Sequence, residues 1–489
     1  MNSRQLIYYV FSLIIIILSF FIYSYRYYPL LTSDDAVNVL MTYYFKLPHD
    51  LYYWGQDRGG NLTPLIGQLF HKVLGLSAVT SISLSNHLVL IAGYIGLSSL
   101  FKKIYTKALF AIVWFFPPIN FIELTRYAIG IQYSLIGLSV FLITKINFHR
   151  KRKLSNHLIL IVIVVIMTAS VWVSDLAIVS ISLIVIILTG FHFIRTKEIT
   201  IKRTLIYYTF FGALVCFWFI RYAKGSATEA ITDYMKFNNW DTFLQGLVIL
   251  KDRMIEIYNF QSIEIFYSLY AWFILGITLF MLISILNKNV HVPSNTQPWL
   301  IFFLLDFIIV FGVILLSKWV YLNSMGHWYF VASYISFSMV LLILFDNLKL
   351  SLSSYRIVAV ILSLTILVGS LSTIHYLKFV RPKTLRSRIA VRSEFLNLGE
   401  IGIIGEYWNS YITACPDPSR IKATPHDKST IRNPQLVDAV FSQENLYIIK
   451  DMWMDSFPDT LNQFGHVLVK EGNPFRIGDC NVNKYIIIE

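Results

Sequence analysis

The chain has 489 residues, of which 56% are hydrophobic and only 14% are charged, and its formal net charge is +13. Soluble proteins carry about 25% charged residues, so this chain has too little polar surface to cover a soluble globule. Its 23 glycines, 14 prolines and 3 cysteines exclude a collagen-like chain and a disulfide scaffold, and its apolar content excludes intrinsic disorder. The composition therefore predicts a multi-pass membrane protein.

The excess of positive charge does not indicate a nucleic-acid partner. Lysine and arginine occur in short clusters between apolar runs, where they set membrane topology and contact anionic lipids. A nucleic-acid-binding protein would instead carry a basic stripe on a polar domain. Membrane lipids are therefore the expected partners of these clusters.

Apolar runs of about 18 or more residues are long enough to cross a bilayer as helices. The first run, at 6–25, lacks the small residues of a signal-peptide cleavage site and is expected to remain as an uncleaved helix. The sequence predicts about eleven transmembrane helices, near 6–25, 84–101, 108–122, 128–146, 157–172, 175–194, 204–221, 264–286, 299–317, 327–345 and 355–377.

Basic residues concentrate in the loops at 102–107, 145–153 and 195–203, which contain almost no acid. Because lysine and arginine favour the cytoplasmic side, these loops place the N-terminus in the cytoplasm. An odd number of spans then exports the C-terminal segment, although the basic cluster at 378–392 opposes that orientation. An exported segment could join Cys415 and Cys480 in a disulfide, and two free thiols are the alternative.

The pattern divides the chain into a transmembrane domain, 1–377, and an exported C-terminal domain, 378–489. The transmembrane domain includes a long first outer loop at 28–80, in which 35–45 and 62–73 have the pattern of amphipathic helices at the interface. The C-terminal part is predicted to be a small α/β domain, with buried strands at 401–404, 446–450 and 484–488 and helices at 406–413 and 435–442.

The sharpest chemical feature is the pair Asp34 and Asp35, which closely follows the first span. An acid at this interface can take a proton from a hydroxyl acceptor or hold a metal ion. The alternative is structural, since Ser33 or Asp34 can cap a helix that begins at Asp35. Residue type alone favours the helix cap, whereas the position of the pair just after the first span favours a catalytic or metal-binding role.

Further polar residues at the predicted outer span ends and in the outer loops are candidates for substrate binding. Arg58 precedes two glycines that let a backbone approach a ligand closely, and its guanidinium can bind phosphate through several donors. The alternatives are an aromatic belt and turn at 52–61, a salt bridge between Glu123 and Arg126, and a helix cap at Asp175. For Arg221 and Lys224 the alternative is contact with lipid headgroups, and for His327 it is a structural role. The candidates are Asp57, Arg58, Arg126, Asp175, Arg221, Lys224, Lys318 and His327.

An acidic pair in a long amphipathic first loop, about eleven spans and an outer C-terminal domain together resemble the GT-C superfamily of membrane glycosyltransferases. Members of this superfamily use sugars linked to polyprenyl phosphate. The resemblance implies that Asp34 or Asp35 is the catalytic base or an acceptor-binding acid, and that transfer inverts the anomeric centre. Many members carry Asp-Glu where this chain has Asp-Asp, and 326–329 lacks the arginine that some branches have in a late span.

The resemblance also implies a polyprenyl-phosphate sugar donor, a hydroxyl acceptor on a glycan, lipid or protein, and an active site at the outer face of the bacterial cytoplasmic membrane. The aromatic and isoleucine-rich composition is similar to that of bacterial enzymes that modify O-antigen, a part of lipopolysaccharide, or other surface glycans. No cofactor is implied with certainty, and the two acids permit a divalent metal without requiring one.

A lipid-linked glycan transporter or flippase is the main alternative, and a glycan polymerase or ligase is another. A transporter needs ionisable residues that line a path through the interior of its spans. Asp306 is the clearest deep acid, and few others accompany it. Most charges cluster at the outer ends of spans, which favours an interfacial enzyme.

Overall fold

The computed structural model describes residues 3–146, 153–196, 203–227, 236–262, 264–379 and 385–488. The basic loop segments 147–152 and 197–202, together with Arg381 and Lys383 of the basic cluster, lie outside the described residues. The apolar runs form helices, because a helix satisfies its backbone hydrogen bonds within one segment and can therefore enter a bilayer.

The α-helices of the described chain are α1 (Ser3–Tyr23), α2 (Ser33–Tyr44), α3 (Leu62–Leu74), α4 (Ala78–Ser98), α5 (Ile104–Phe115), α6 (Ala128–Lys145), α7 (Lys153–Val173), α8 (Ala177–Thr196), α9 (Arg203–Gly225), α10 (Trp240–Tyr258), α11 (Ile265–Leu286), α12 (Gln297–Leu316), α13 (Lys318–Leu322), α14 (Val331–Asp346), α15 (Leu352–Phe379), α16 (Arg388–Arg392), α17 (Tyr407–Ala414) and α18 (Pro434–Phe441). The predicted amphipathic helices of the first loop correspond to α2 and α3.

Within the described residues, nine helices are long and apolar enough to cross a membrane, judged by length and composition. A tenth candidate is α5 together with the short helix Ile119–Thr125, which bend by 94° at their break. The break falls at Pro117 and Pro118, because proline disfavours helical geometry in the residue before it. The sequence predicts about eleven spans, and each overlaps a helix, but 108–122 is broken into two helices and, among the described residues, 175–194 contains only a shorter apolar helix, Ala177–Phe191. The predicted polytopic fold is confirmed.

The chain forms two compact units. The helical unit comprises Met1–Ser19, Leu88–Tyr222 and Ile231–Tyr376. The sheet unit comprises Phe20–His87, Ala223–Ala230 and Leu377–Glu489. The first long loop therefore groups with the C-terminal segment, whereas the predicted division at 377/378 assigned that loop to the transmembrane domain.

In the helical unit, α4 and α6 approach each other through small residues. Gly93 lies against Ser134, and a Cβ atom at Gly96 would lie 2.3 Å from the carbonyl carbon of Gly137. Small residues let helix backbones approach closely in a membrane, where van der Waals contact rather than hydrophobic burial holds helices together. The α4–α6 contact therefore depends on the absence of side chains at these positions.

Asp306, the deep acid on α12, is fully buried in the helical unit. Its carboxylate accepts hydrogen bonds from the hydroxyls of Tyr133 and Ser336, both at 2.5 Å, and of Ser180 at 2.6 Å. These hydroxyls come from α6, α14 and α8. Asp306 therefore joins four helices in a satisfied polar network.

The sheet unit contains a six-stranded mixed sheet with the order β2-β1-β3-β6-β5-β4. The first three strands are mutually parallel, and the others continue the sheet with antiparallel pairing. The fully buried isoleucine-rich β1 fits the centre of such a sheet, and the predicted small α/β domain is confirmed. The strands are β1 (Ile401–Gly405), β2 (Ile421–Pro425), β3 (Leu446–Lys450), β4 (Thr460–Gln463), β5 (His466–Ile477) and β6 (Cys480–Ile488).

Two arginines of the basic cluster at 378–392 are turned inward within the sheet unit. Arg392 is 1% exposed, pairs with Asp479 at 3.0 Å and donates to Asn409 Oδ1 at 2.6 Å. Arg388 donates to the same oxygen of Asn409 at 2.7 Å and to the carbonyl of Leu31 at 3.1 Å. Buried guanidinium groups are costly unless they are paired. This network therefore ties the chain after the last long helix to the first loop.

Cys415 and Cys480 are free thiols, so the predicted disulfide is wrong. Both side chains are buried in different surroundings. The thiol of Cys415 lies 3.7 Å from the carbonyl of Ala36, whereas the sulfur of Cys480 accepts a hydrogen bond from Arg392. The disulfide prediction rested on two cysteines in one segment, but a bond also requires that the two side chains meet.

Gly96→Ala is expected to destabilise the helical unit, because the added methyl group would overlap the backbone of Gly137. The expected loss is about 1–3 kcal/mol, the usual cost of overpacking. Gly276→Ala is the matched control, since a Cβ at Gly276 on α11 would have no neighbour within 4 Å among the described residues. Thermal unfolding in detergent should show a lower midpoint for Gly96→Ala alone, and equal midpoints would contradict the close approach.

Cys415 and Cys480 should each take up one maleimide when the protein is denatured without a reductant, because both are free thiols. In the folded protein, burial should protect both from the reagent. Mass spectrometry of tryptic peptides checks both statements. Labelling of the denatured protein only after reduction would contradict the free-thiol assignment.

Candidate active site

The two carboxylates at the start of α2 have different surroundings. The Thr32 hydroxyl accepts a hydrogen bond from the backbone N–H of Asp35 at 3.2 Å, and Asp35 Oδ2 accepts from the backbone N–H of Thr32 at 3.0 Å. These reciprocal bonds form a capping box, and Asp35 is 1% exposed. The helix cap is thus Thr32 rather than the predicted Ser33 or Asp34, and Asp35 is part of it.

Asp34 is half-buried and lies beside two tyrosines. The Tyr407 hydroxyl donates to Asp34 Oδ1 at 2.5 Å, and the Tyr53 hydroxyl donates to the same oxygen at 3.3 Å. No described residue donates a hydrogen bond to Asp34 Oδ2. One carboxylate oxygen is therefore held by fixed donors, and the other can accept a proton or a hydrogen bond from a ligand.

Local structure places both tyrosines next to Asp34. Tyr407 begins α17, two residues after the last residue of β1, and its backbone carbonyl accepts a hydrogen bond from the Ser33 hydroxyl. Tyr53 lies in a tight loop in which its backbone N–H donates to the carbonyl of Gly59 at 3.1 Å. Gly59 has a φ of 68°, a left-handed conformation that suits glycine.

The two tyrosines act as neutral donors. Burial, followed by the charge of Asp34, raises the pKa of Tyr407, and the same causes raise the pKa of Tyr53. Both phenols therefore remain protonated across the physiological pH range. They present O–H groups, not negative charges, to the Asp34 carboxylate.

Arg432 adds a positive charge to this group of residues. Its guanidinium carbon lies 5.2 Å from the ring centroid of Tyr407 and 5.9 Å from that of Tyr53. Cations are attracted to the faces of aromatic rings at such distances. The backbone N–H of Arg432 also donates to the hydroxyl of Tyr411 at 2.9 Å. Arg432 therefore packs on the same two rings whose hydroxyls bind Asp34.

Asp50 holds the loop that carries Tyr53. Its carboxylate accepts from the indole N–H of Trp54 at 2.9 Å and from the backbone N–H of Lys46 at 2.6 Å. Its backbone carbonyl accepts from the side chain of Asn61 at 2.8 Å. Burial raises the pKa of Asp50, although these donors and His49 oppose the shift. Asp50 is thus a structural acid of the first loop.

The predicted substrate-binding residues are divided between the two units. Asp57 and Arg58 lie in the same loop as Tyr53, where Arg58 Nε donates to the side chain of Gln56 at 3.0 Å. Lys224 belongs to a separate segment of the sheet unit. The helical unit contains Arg126, Asp175, Arg221, Lys318 and His327.

The five candidates of the helical unit lie at or beside helix ends. Arg126 is 4% exposed and follows the short helix Ile119–Thr125. Asp175 is exposed in the turn between α7 and α8, and Arg221 is exposed in the last turns of α9. Lys318 begins α13, and His327 is exposed in the turn before α14.

The site does not fit a divalent metal. Among the described residues, no group of three or more His, Cys, Asp or Glu side chains is arranged to hold a metal ion. Asp35 is used in the capping box, and Asp34 Oδ1 is occupied by two hydroxyls. The acidic pair therefore does not present the convergent oxygen ligands that such cations require.

The site residues predicted from the sequence do not include Tyr53, Tyr407 or Arg432. The sequence leaves two interpretations of the aromatic segment around Tyr53, a ligand-facing surface and a membrane-interface belt, and it places Tyr407 inside a predicted helix. The sequence signal for Tyr407 is its position two residues after the last residue of β1, since ligand sites of α/β sheets form at the carboxyl ends of parallel strands. No local pattern indicates that Tyr407 contacts Asp34 across 373 positions.

No protein-family model and no curated protein sequence matches the chain. The apo structure of ArnT from Cupriavidus metallidurans aligns with a TM-score of 0.55 and 9% identity, covering 98% of this chain and 97% of that chain. The structure of the same protein bound to undecaprenyl phosphate aligns with a TM-score of 0.53 and 8% identity over the same shares. The apo oligosaccharyltransferase of Archaeoglobus fulgidus aligns with a TM-score of 0.45 and 9% identity, covering 91% and 69%.

The ArnT alignments extend over nearly the whole of both chains. The chain therefore has the same GT-C-like fold as ArnT. The fold that the sequence resemblance implies is confirmed.

The two neighbouring acids should respond differently to substitution. Asp35→Ala removes the capping box and should lower the free energy of unfolding by about 0.5–2 kcal/mol. Asp34→Asn keeps an oxygen that accepts from Tyr407 and should change it by no more than about 0.5 kcal/mol. Thermal unfolding in detergent measures both variants against the unaltered protein. A loss in Asp34→Asn as large as that in Asp35→Ala would make Asp34 a structural residue as well.

Proposed function

We propose that this protein is a glycosyltransferase that moves a sugar from a polyprenyl-phosphate carrier to a hydroxyl acceptor, with Asp34 as the catalytic base. The observation that carries the proposal is the difference in hydrogen bonding between the two carboxylate oxygens of Asp34. Oδ1 receives two tyrosine hydroxyls, and Oδ2 accepts no hydrogen bond from any described residue. The GT-C fold supports the reaction class.

Asp34 suits the role of base better than Asp35. Asp35 is buried and its carboxylate already accepts from the backbone N–H and the hydroxyl of Thr32. Asp34 is half-buried, and Tyr407 and Tyr53 fix its orientation through one oxygen only. A base that is held in place and still has a free oxygen can take a proton without reorganising its surroundings.

In the proposed reaction, the acceptor hydroxyl oxygen attacks the anomeric carbon of the donor sugar. The bond from that carbon to the phosphate oxygen breaks, and the polyprenyl phosphate leaves with the bonding electron pair. The hydroxyl proton passes to Asp34 Oδ2. Attack from the side opposite the leaving group inverts the anomeric centre. Because a phosphate monoester is already a competent leaving group, the reaction needs no nucleotide.

The structure of ArnT with undecaprenyl phosphate supports a polyprenyl-phosphate donor for this chain. The proposed acceptor is a hydroxyl of a surface glycan, such as O-antigen, or of a lipid or protein. The proposed location is the bacterial cytoplasmic membrane, with the sheet unit on its outer side. The hydrogen bonds and the ion pair of Arg388 and Arg392 support this orientation, because these two charges serve the packing of the sheet unit rather than lipid contact.

The remaining candidates are proposed to bind substrate. Cationic side chains would offset the charge of the departing phosphate, and the acids would accept hydrogen bonds from sugar hydroxyls. The proposed phosphate-facing cations are Arg58, Arg126, Arg221, Lys224 and Lys318, and His327 is proposed to donate a hydrogen bond to the phosphate from its neutral ring. The proposed sugar-facing residues are Asp57 and Asp175. The transporter alternative receives no comparable support, because Asp306 is satisfied by three hydroxyls.

Surface glycans of the host cells provide the test. We expect the gene deletion and the Asp34→Asn variant to lose the same sugar residue, because a base that cannot accept a proton lowers the rate by about 10²–10⁴-fold. Mass spectrometry of the purified glycans detects the lost mass and reports the class of sugar. Asp438→Asn is the control, since Asp438 is an exposed acid on α18. Full glycosylation in cells that carry Asp34→Asn would contradict the assignment of the base.

A further inference from the structure

The parallel strands of the sheet unit end at one common edge. β1 lies between β2 and β3. The connection after β1 therefore leads to the strand on one side of β1, and the connection after β2 leads to the strand on its other side. In open α/β sheets, ligands bind in the crevice outside the carboxyl ends of the strands at such a point. Here Glu406 directly follows β1, His426 follows β2 and Asp451 follows β3. We call this region the carboxyl edge.

Large apolar side chains at the carboxyl edge are exposed. Trp408 is 51% exposed and Met452 is 91% exposed, although both are residue types that proteins usually bury. Beside them, the rings of His426 and Trp453 stack at 4.2 Å with an angle of 11° between their planes. An exposed indole and a stacked aromatic pair at a strand edge provide flat apolar surfaces for a ligand.

Two carboxylates accompany these rings. Asp451 Oδ1 accepts a hydrogen bond from Asn409 at 2.8 Å, whereas Asp451 Oδ2 is buried and accepts none from the described residues. A buried carboxylate oxygen without a donor costs free energy, which an incoming hydroxyl would recover. Burial and the neighbouring charge of Asp451 raise the pKa of Glu406, so the two acids lie close enough to interact.

Tyr407 connects the carboxyl edge to the candidate base. It stands between Glu406 and Trp408 in the sequence, and its hydroxyl donates to Asp34 at 2.5 Å. The rings of Tyr407 and Trp408 meet edge to face, with centroids 5.1 Å apart and an interplanar angle of 78°. A ligand stacked on Trp408 would therefore lie beside the residue that orients Asp34.

We propose that the carboxyl edge, through Glu406, Trp408, Asp451 and Met452, binds a carbohydrate acceptor. This inference rests on the proposed function and names the acceptor class as a glycan. A sugar has an apolar C–H face that stacks on an indole ring, and hydroxyls that donate to carboxylates. A lipid acyl chain would meet the two carboxyl groups of Glu406 and Asp451 here, which disfavours it.

The test uses the full-length protein in detergent, a polyprenyl-phosphate sugar, and lipid-free glycan released from the envelope of the deletion strain. Trp408→Ala should raise the KM for the glycan about tenfold, because the stacking surface is lost. Asp451→Asn should raise it by a similar factor. The KM for the donor and kcat should change by less than about twofold, since neither side chain is proposed to contact the donor. Phe475→Ala is the control, as an exposed aromatic on β5.

Titration of the glycan without donor separates the possible outcomes. Weaker glycan binding in Trp408→Ala, restored in Trp408→Tyr, would support the inference. If both variants kept the KM for the glycan and the glycan affinity of the unaltered protein, the acceptor-site inference would be wrong. The proposed function would still stand in that case, provided that the unaltered protein transferred the sugar. No transfer by the unaltered protein would instead count against the proposed function. Because Asp451 also binds Asn409, the exposed Trp408 provides the variant that is expected to leave folding intact.

Discussion

The contact between Asp34 and Tyr407 is the interaction on which the candidate site depends. It joins a residue of the first long loop to one that lies 373 positions later, and it leaves one carboxylate oxygen without a described donor. Arg432 rests on the same tyrosine ring. The C-terminal segment therefore supplies both the donor that orients Asp34 and the cation beside it, which makes this segment a part of the candidate active site.

Packing within the sheet unit explains why the first loop adopts this arrangement. α2 has 12 residues, and isolated helices of that length are only marginally stable in water. Val37, Leu40 and Met41 of α2 share a buried cluster with Tyr411 and Ile412 of α17, which supplies the missing stability. The buried network of Arg388 and Arg392 then adds directional bonds. The loop and the C-terminal segment therefore belong to one compact unit, and the packing of α2 against α17 fixes the position of Asp34 within it.

Local patterns in the sequence predict the helices and strands well, because apolar runs and amphipathic periods depend on neighbouring residues. The spans, the helices α2 and α3 and the strands β1 and β3 are examples. The pairing of Tyr407 with Asp34 and the use of Asp35 in a cap depend on tertiary contacts that no local pattern contains. The free thiols show the same limit, since a cysteine count does not reveal which side chains meet.

The most direct test of the account measures sugar transfer by purified protein in single turnover, with a polyprenyl-phosphate sugar and the glycan of the deletion strain. We predict that Asp34→Asn lowers the rate about 10²–10⁴-fold. We also predict that Tyr407→Phe, which keeps the base but removes its nearest donor, gives an intermediate rate. A wild-type rate in Asp34→Asn would contradict the central claim, whatever the other variants show.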